Sequence, residues 1–174
     1  HGLADALARL NVRYDSDKAV KITEKIYEVL RNASYTESVN LSKERGAFGV
    51  FDWEKEKDNE YIKRLPQEIQ DMIKEFGRRN ISILTNAPTG SVSIMSQTSS
   101  GLEPVFRNSY RRRRKLSHDE KDVEPDFVDD LGDKWLEYEV FHHNLQEYLD
   151  LYKTKKVPDF FIESDQIDWP KRVE

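Results

Sequence analysis

The 174-residue chain contains no cysteine. That absence excludes disulfides, thiolate zinc sites, CxxC redox motifs and cysteine nucleophiles from it. No run of about 18 apolar residues is present, so no segment reads as a membrane-spanning helix. The first twenty residues lack the basic start and apolar core of a secretory leader. Apolar side chains are scarce, at 37% against 35% charged, and mean hydropathy is −0.82, so any core is modest. A net charge of −5 and a pI near 5.5 disfavour polyanion binding by bulk charge. Walker A, GxGxxG and HExxH motifs are all missing.

Eight Phe, eight Tyr and three Trp are nevertheless too many large apolar side chains for a disordered chain. The length suits one domain or a piece of a larger one. His1–Leu10 reads as a short helix with Leu3, Ala6, Leu7 and Leu10 on one face. Ser16 is the expected cap of a second helix, because its hydroxyl oxygen accepts an orphan amide hydrogen. Ile22, Ile26, Val29, Leu30 and Ala33 keep helical spacing, and Gly46 supplies a stop. The resulting helix, Asp17–Arg45, is long for a globular protein and needs a large neighbour. Pro66 and Gly77 bracket a further helix carrying Ile69, Met72, Ile73 and Phe76.

Ile81–Thr85 reads as a buried strand and Val105–Tyr110 as a second. Trp135–Tyr152 is amphipathic, helical from Asn144, and Pro158 breaks it. Asp168-Trp169-Pro170 reads as the opening of a helix that the chain does not complete. The organisation expected is a helical region 1–77, a strand-and-loop unit 78–116, and an acidic excursion with a helical C-terminal part, 117–174. No repeat or low-complexity linker divides them.

Arg107 and Arg111–Lys115 place six cations within nine residues, and ten acids follow over 117–139. The basic run could take phosphate or nucleic acid, since guanidinium forks match phosphate oxygens. The adjacent acids favour a solvated or internally paired run instead. The acidic stretch lacks the Asp/Asn alternation and glycine of a calcium loop, and is expected to be a solvated, partly mobile excursion. His142-His143 has no third ligand at zinc spacing and reads as structural. Ser91 has no histidine with a sequence reason to meet it, so no Ser-His-Asp triad is proposed.

The segment 81–93 carries the strongest chemistry. A strand that ends in Pro88-Thr89-Gly90-Ser91-Val92-Ser93 offers a tight turn whose amides point outward. Gly90 permits either close backbone approach or positive φ, and three hydroxyls lie nearby. If a helix starts near Ser91, its orphan N–H groups favour an anion. The bland alternative is a polar turn after a strand.

Ile83–Ser93 (ILTNAPTGSVS) and Thr98–Phe106 (TSSGLEPVF) resemble the large catalytic subunit of ribonucleotide reductase. Similarity is nearest to the adenosylcobalamin-dependent branch, with the class I large subunit second. Gly2–Leu7 with Tyr14-Asp15-Ser16, Glu44–Phe48, Trp135–His142, Val157-Pro158 and Ile167–Trp169 extend the resemblance over nearly the whole chain.

The resemblance implies an α/β fold: a segment of a ten-stranded α/β barrel, helix-rich with a few short strands. It implies that Ala87, Pro88, Thr89, Gly90, Ser91, Val92 and Ser93 hold the substrate's diphosphate through amides and hydroxyls, with Asn86 and Ala87 positioning the loop. It implies a cytoplasmic oxidoreductase of deoxyribonucleotide synthesis and DNA replication, with adenosylcobalamin in the complete enzyme. Its partners are then a nucleoside diphosphate and the remainder of the reductase chain, without membrane or nucleic acid. The family's chemistry uses a transient thiyl radical on a cysteine in an Asn-x-Cys-x-Glu stretch, and a redox cysteine pair. A chain without cysteine has neither, and the family's large subunit is several times longer.

With its start at His1 and its ending at Glu174, the chain is therefore expected to be a segment of the barrel's second half, as an expressed domain or half of a split gene. Alone it is expected to be inactive, with no catalytic residue, metal or bound cofactor of its own. Strands cut from a closed barrel expose edges and apolar helix faces, so self-association, rearrangement or partner binding is expected. The competing readings are a nucleic-acid module built on Arg111–Lys115 and a purely structural fragment.

Overall fold

A computed structural model describes residues 1–117, 119, 120, 122–168 and 170. Two compact units divide the chain: Val20–Ala87, and His1–Ala19 together with the residues from Pro88 on.

Helix α1 spans Leu3–Arg9 and α2 spans Asp17–Arg45. The limits of α2 are those the sequence predicts. The Ser16 hydroxyl accepts the Ala19 amide at 3.2 Å, and Gly46 leaves the helix at φ +80°. Within Val20–Ala87, the C-terminal half of α2 packs against α5 (Gln67–Phe76) and the short helices α3 (Trp53–Glu56) and α4 (Glu60–Lys63). Tyr35, Val39, Ile62, Leu65, Ile69 and Ile73 form that core. Small hydroxyls let the backbones approach: Ser42 donates to the Phe76 carbonyl at 2.7 Å, and the Ser38 hydroxyl accepts the Asn80 amide at 3.1 Å.

The apolar stripe expected on the first half of α2 finds no cover within this unit. Val20, Ile26, Val29 and Leu30 are all exposed, Val29 by 56%.

In the other unit, Ala8, Leu145, Leu149 and Phe161 make the core, joined by Phe141, Tyr148 and Phe160. They come from α1, from α7 (His143–Tyr152), from the apolar run after Pro158 and, for Phe141, from the end of the strand that precedes α7. Helix α6 is one short piece, Gly90–Ser96. Strands β1 (Ser109–Lys115), β2 (Phe127–Val128) and β3 (Lys134–Phe141) form an antiparallel sheet in the order β1-β3-β2. Arg111 lies opposite Glu139 and Arg113 opposite Glu137.

Four expectations are corrected. The face of α1 is Ala4, Asp5, Leu7 and Ala8, while Leu10 lies past the helix end and is exposed. Ile81–Thr85 is not a buried strand: it has no ladder partner among the described residues, and Ile81 is 64% exposed. The Arg78 guanidinium donates to the Asn80 and Ile81 carbonyls, taking acceptors that a ladder there would use. The second strand is shifted from 105–110 to 109–115. The Val105 carbonyl and the Asn108 amide are bonded instead to Ser164 and Glu163. The acidic stretch 117–139 is partly ordered as β2 and β3, because its carboxylates meet the cations of β1. Among the described residues the architecture is helix-rich with a few short strands, as expected, and no barrel is closed. Of the helix expected from Asp168-Trp169-Pro170 onward, residues 169 and 171–174 lie outside the described residues.

Candidate functional site

The segment after residue 85 has its two parts in different units. Asn86 accepts a hydrogen bond from the Tyr27 hydroxyl at 3.3 Å, and the exposed Ala87 ends the Val20–Ala87 unit. Pro88 opens the other unit. Thr89 follows in the left-handed region at φ 53°, ψ 31°, and caps α6 without a side-chain bond to it. Left-handed backbone is unusual for a β-branched residue.

A threonine that turns this way must be held, and it is. Its Oγ1 accepts the Gly101 amide at 2.9 Å, and its carbonyl accepts the Ser93 amide at 2.8 Å.

The first-turn amides of Gly90, Ser91 and Val92 have no protein acceptor among the described residues. They are the orphan donors of a helix start. Gly90 is not at positive φ, so of its two expected uses only close approach applies. A Cβ built there meets nothing within 4 Å, which leaves open space above the donors.

Ser91 is exposed with its hydroxyl available. Ser93 differs: it is buried, and its hydroxyl donates to the Gly90 carbonyl at 2.8 Å. The arrangement is a backbone-donor cradle with threonine and serine hydroxyls at its rim.

A groove of about 920 Å³ lies within the Val20–Ala87 unit, between Lys21, Tyr27 and Arg31 of α2 and Tyr61, Leu84 and Asn86. Its wall mixes charges of both signs, and no buried donor points to one ligand. A second cavity, about 590 Å³, is lined by Ser93, Ser99, Phe106, Arg107, Tyr110 and His142.

Sequence reasoning missed the buried cluster around Asp5. Its carboxylate is 2.7 Å from His142 Nε2 and accepts the Ser99 amide with its other oxygen. Burial alone pushes this carboxyl up, yet the bonds from His142 and Ser99 outweigh it and hold it below the usual range. An aspartate inside the apolar stripe of α1 was the available signal, because buried carboxylates need partners.

Four of the five cations of the basic run are internally paired. Glu137 bonds Arg111 at 3.1 Å and Arg113 at 2.7 Å, Glu120 forks Arg114, and Asp133 takes Lys115. Arg113 also lies over the Phe127 ring, which stacks on Trp135. His143 pairs with Glu147 at 3.0 Å, and no group of three metal-ligating side chains forms among the described residues. No helix of the described residues is long and apolar enough to cross a membrane.

The family model described as ribonucleotide reductase, barrel domain, matches residues 1–168. The chain belongs to that family. A vitamin B12-dependent ribonucleoside-diphosphate reductase of Mycobacterium tuberculosis is 33% identical over 111 residues, 64% of this chain and 14% of that protein. The enzyme of the same name from Thermoplasma acidophilum is 29% identical over 173 residues, 96% of this chain and 20% of that protein. A ribonucleoside-diphosphate reductase subunit alpha of Treponema pallidum is 28% identical over 120 residues, 66% of this chain and 14% of that protein. This reductase-family chain thus spans a fifth or less of these relatives' length.

Proposed function

We propose that the chain is the substrate-diphosphate-binding segment of a ribonucleoside-diphosphate reductase. Pro88, Thr89, Gly90, Ser91 and Val92 line the phosphate pocket. Ala87 positions the loop, and Ser93 braces it through its bond to the Gly90 carbonyl. One observation carries the reading: three adjacent amides without acceptors, under open space at Gly90, in a chain of this family. Amides at a helix start bind phosphate oxygens through direct donation and the helix dipole, without a lysine.

In the complete enzyme, ribonucleotide is converted to deoxyribonucleotide by radical chemistry on residues outside this chain. With no cysteine it contributes binding and orientation, and alone it is inactive. The remainder of a ten-stranded barrel covers the apolar face of α2. The cobalamin named for the relatives is a cofactor of that complete enzyme. No step is assigned to it on this chain. The nucleic-acid reading is disfavoured by the carboxylates that neutralise Arg111, Arg113, Arg114 and Lys115.

The test is an NMR titration of the labelled protein with a nucleoside diphosphate. Saturable shifts confined to residues 87–93, absent with the bare nucleoside, are expected. Gly90→Val should weaken binding at least tenfold by crowding the phosphates, with the fold intact, because a Cβ there has open space within 4 Å. Equal affinity in that variant would sink the role given to Gly90.

A further inference from the structure

We propose that Asp5 and His142 are positioning residues that set the conformation of the 98–101 turn and, through it, of Thr89. The consequence for anion binding rests on the phosphate-loop reading above; the positioning itself rests on geometry alone.

Asp5 is 5% exposed on α1, among Ala4, Leu7 and Ala8. One carboxylate oxygen meets His142 Nε2, and the other accepts the Ser99 amide. The Ser99 carbonyl accepts the Gly2 amide at 2.9 Å, so residue 99 is clamped to the α1 end of the chain on both its backbone groups. His142 is itself fixed, its amide donating to the Asn108 carbonyl at 2.7 Å. Asn144 Nδ2 donates to the Asp5 carbonyl at 3.2 Å.

The clamped turn then reaches the loop at two points. The Thr98 amide donates to the Ser93 carbonyl at 3.0 Å, and the Gly101 amide donates to Thr89 Oγ1 at 2.9 Å. Thr89 is the left-handed residue from which α6 and its three free amides start.

Packing does not require a hydrogen-bonded polar pair here. Apolar residues of similar volume would seat α1 at no desolvation cost. What an apolar residue cannot do is orient the Ser99 amide. A carboxylate does so strongly, because bonds to an ionised acceptor are short and directional.

The experiment measures amide hydrogen exchange in the ¹⁵N-labelled protein and, on the same samples, affinity for inorganic pyrophosphate. In Asp5→Asn, exchange at Ser99 and Gly101 should quicken about tenfold, the effect of losing one charge-assisted bond, while α5 amides stay unchanged. The Ser99 amide proton should also move upfield. His142→Ala should behave alike, and His142→Gln, which retains an N–H donor, should restore protection to within about twofold. The Ala and Gln pair keeps the inference open to refutation if Asp5→Asn does not fold.

Unchanged Gly101 exchange in Asp5→Asn or His142→Ala overturns the inference. So does a Gln variant no better than Ala. Faster exchange with unaltered pyrophosphate affinity upholds the positioning and removes its consequence for anion binding, whereas no saturable pyrophosphate shifts at residues 88–93 of the unchanged protein would defeat the phosphate-loop reading instead.

Discussion

Glu120 shows how one fork can dominate an acidic residue in an acidic neighbourhood. Both its oxygens sit 2.7 Å from Arg114, and the Ser117 amide donates to it at 2.9 Å. The Arg114 bonds first, then that amide, hold its carboxyl down at about 2. A depressed folded value means that the bond supports the fold above the ordinary glutamate value near 4.3 and is lost as pH falls toward 2. An NMR titration should find the Glu120 midpoint near 2, and Arg114→Gln should return it toward the ordinary range. A midpoint above about 4 in the unchanged protein would refute the fork. Individual residues were unevenly legible. Thr89, Gly90 and Ser91 stood out in the sequence because their chemistry is local. Asp5 and His142 did not, because 137 positions separate them and only folding makes them a pair.

Between α5 and the rest of its unit, the turn at Gly77 has two demands on it. It adopts φ +68°, and a Cβ there would lie 2.7 Å from Ala47 Cβ and 3.1 Å from Phe51. Gly46, which ends α2, has φ +80° and open space around it. Gly46→Ala should therefore cost only the backbone strain, on the order of 1 kcal/mol. Gly77→Ala should cost that and a clash, on the order of 3 kcal/mol, by chemical denaturation. Equal losses would remove the steric part of the account. The limits of α2 were readable for the same local reason, since Ser16 and Gly46 act on their immediate neighbours. The 81–85 strand was misread because β-prone residues describe a surface that suits a ladder, not the partner that supplies it. Next to Gly77, Arg78 pairs with Glu56 at 2.8 Å in a buried setting and turns toward the Asn80 and Ile81 carbonyls. That competition was invisible in a pattern of apolar residues.

For the molecule entire, the uncovered apolar side chains set the expected behaviour in solution. Ile26, Val29 and Leu30 share one face of α2 at three- and four-residue spacing, and all are exposed. Light scattering should show concentration-dependent association, and Ile26→Lys with Val29→Glu should abolish it while leaving helix content unchanged. Association that survives both substitutions would rule out this face as the contact. Barrel membership was legible from the whole-length resemblance, whereas the three-stranded sheet was not, because the alternation of Leu136-Glu137-Tyr138-Glu139-Val140 reads as part of one amphipathic segment, Trp135–Tyr152, and its partner strand lies across the acidic stretch.

The basic strand has a different consequence from the one its composition first invites. β1 is an outer strand of the sheet, and its carboxylate partners all lie on its inner side or beyond its ends. A second copy approaching edge to edge would bring Arg111–Lys115 against the same five residues. Long charged side chains along that edge, tied up with their carboxylates, are poor partners for a second strand and disfavour edge-to-edge stacking. The opposite edge is protected by brevity, since β2 offers only two residues. A run that looks made to seize polyanions is also the kind of charged edge that blunts pairing between sheets.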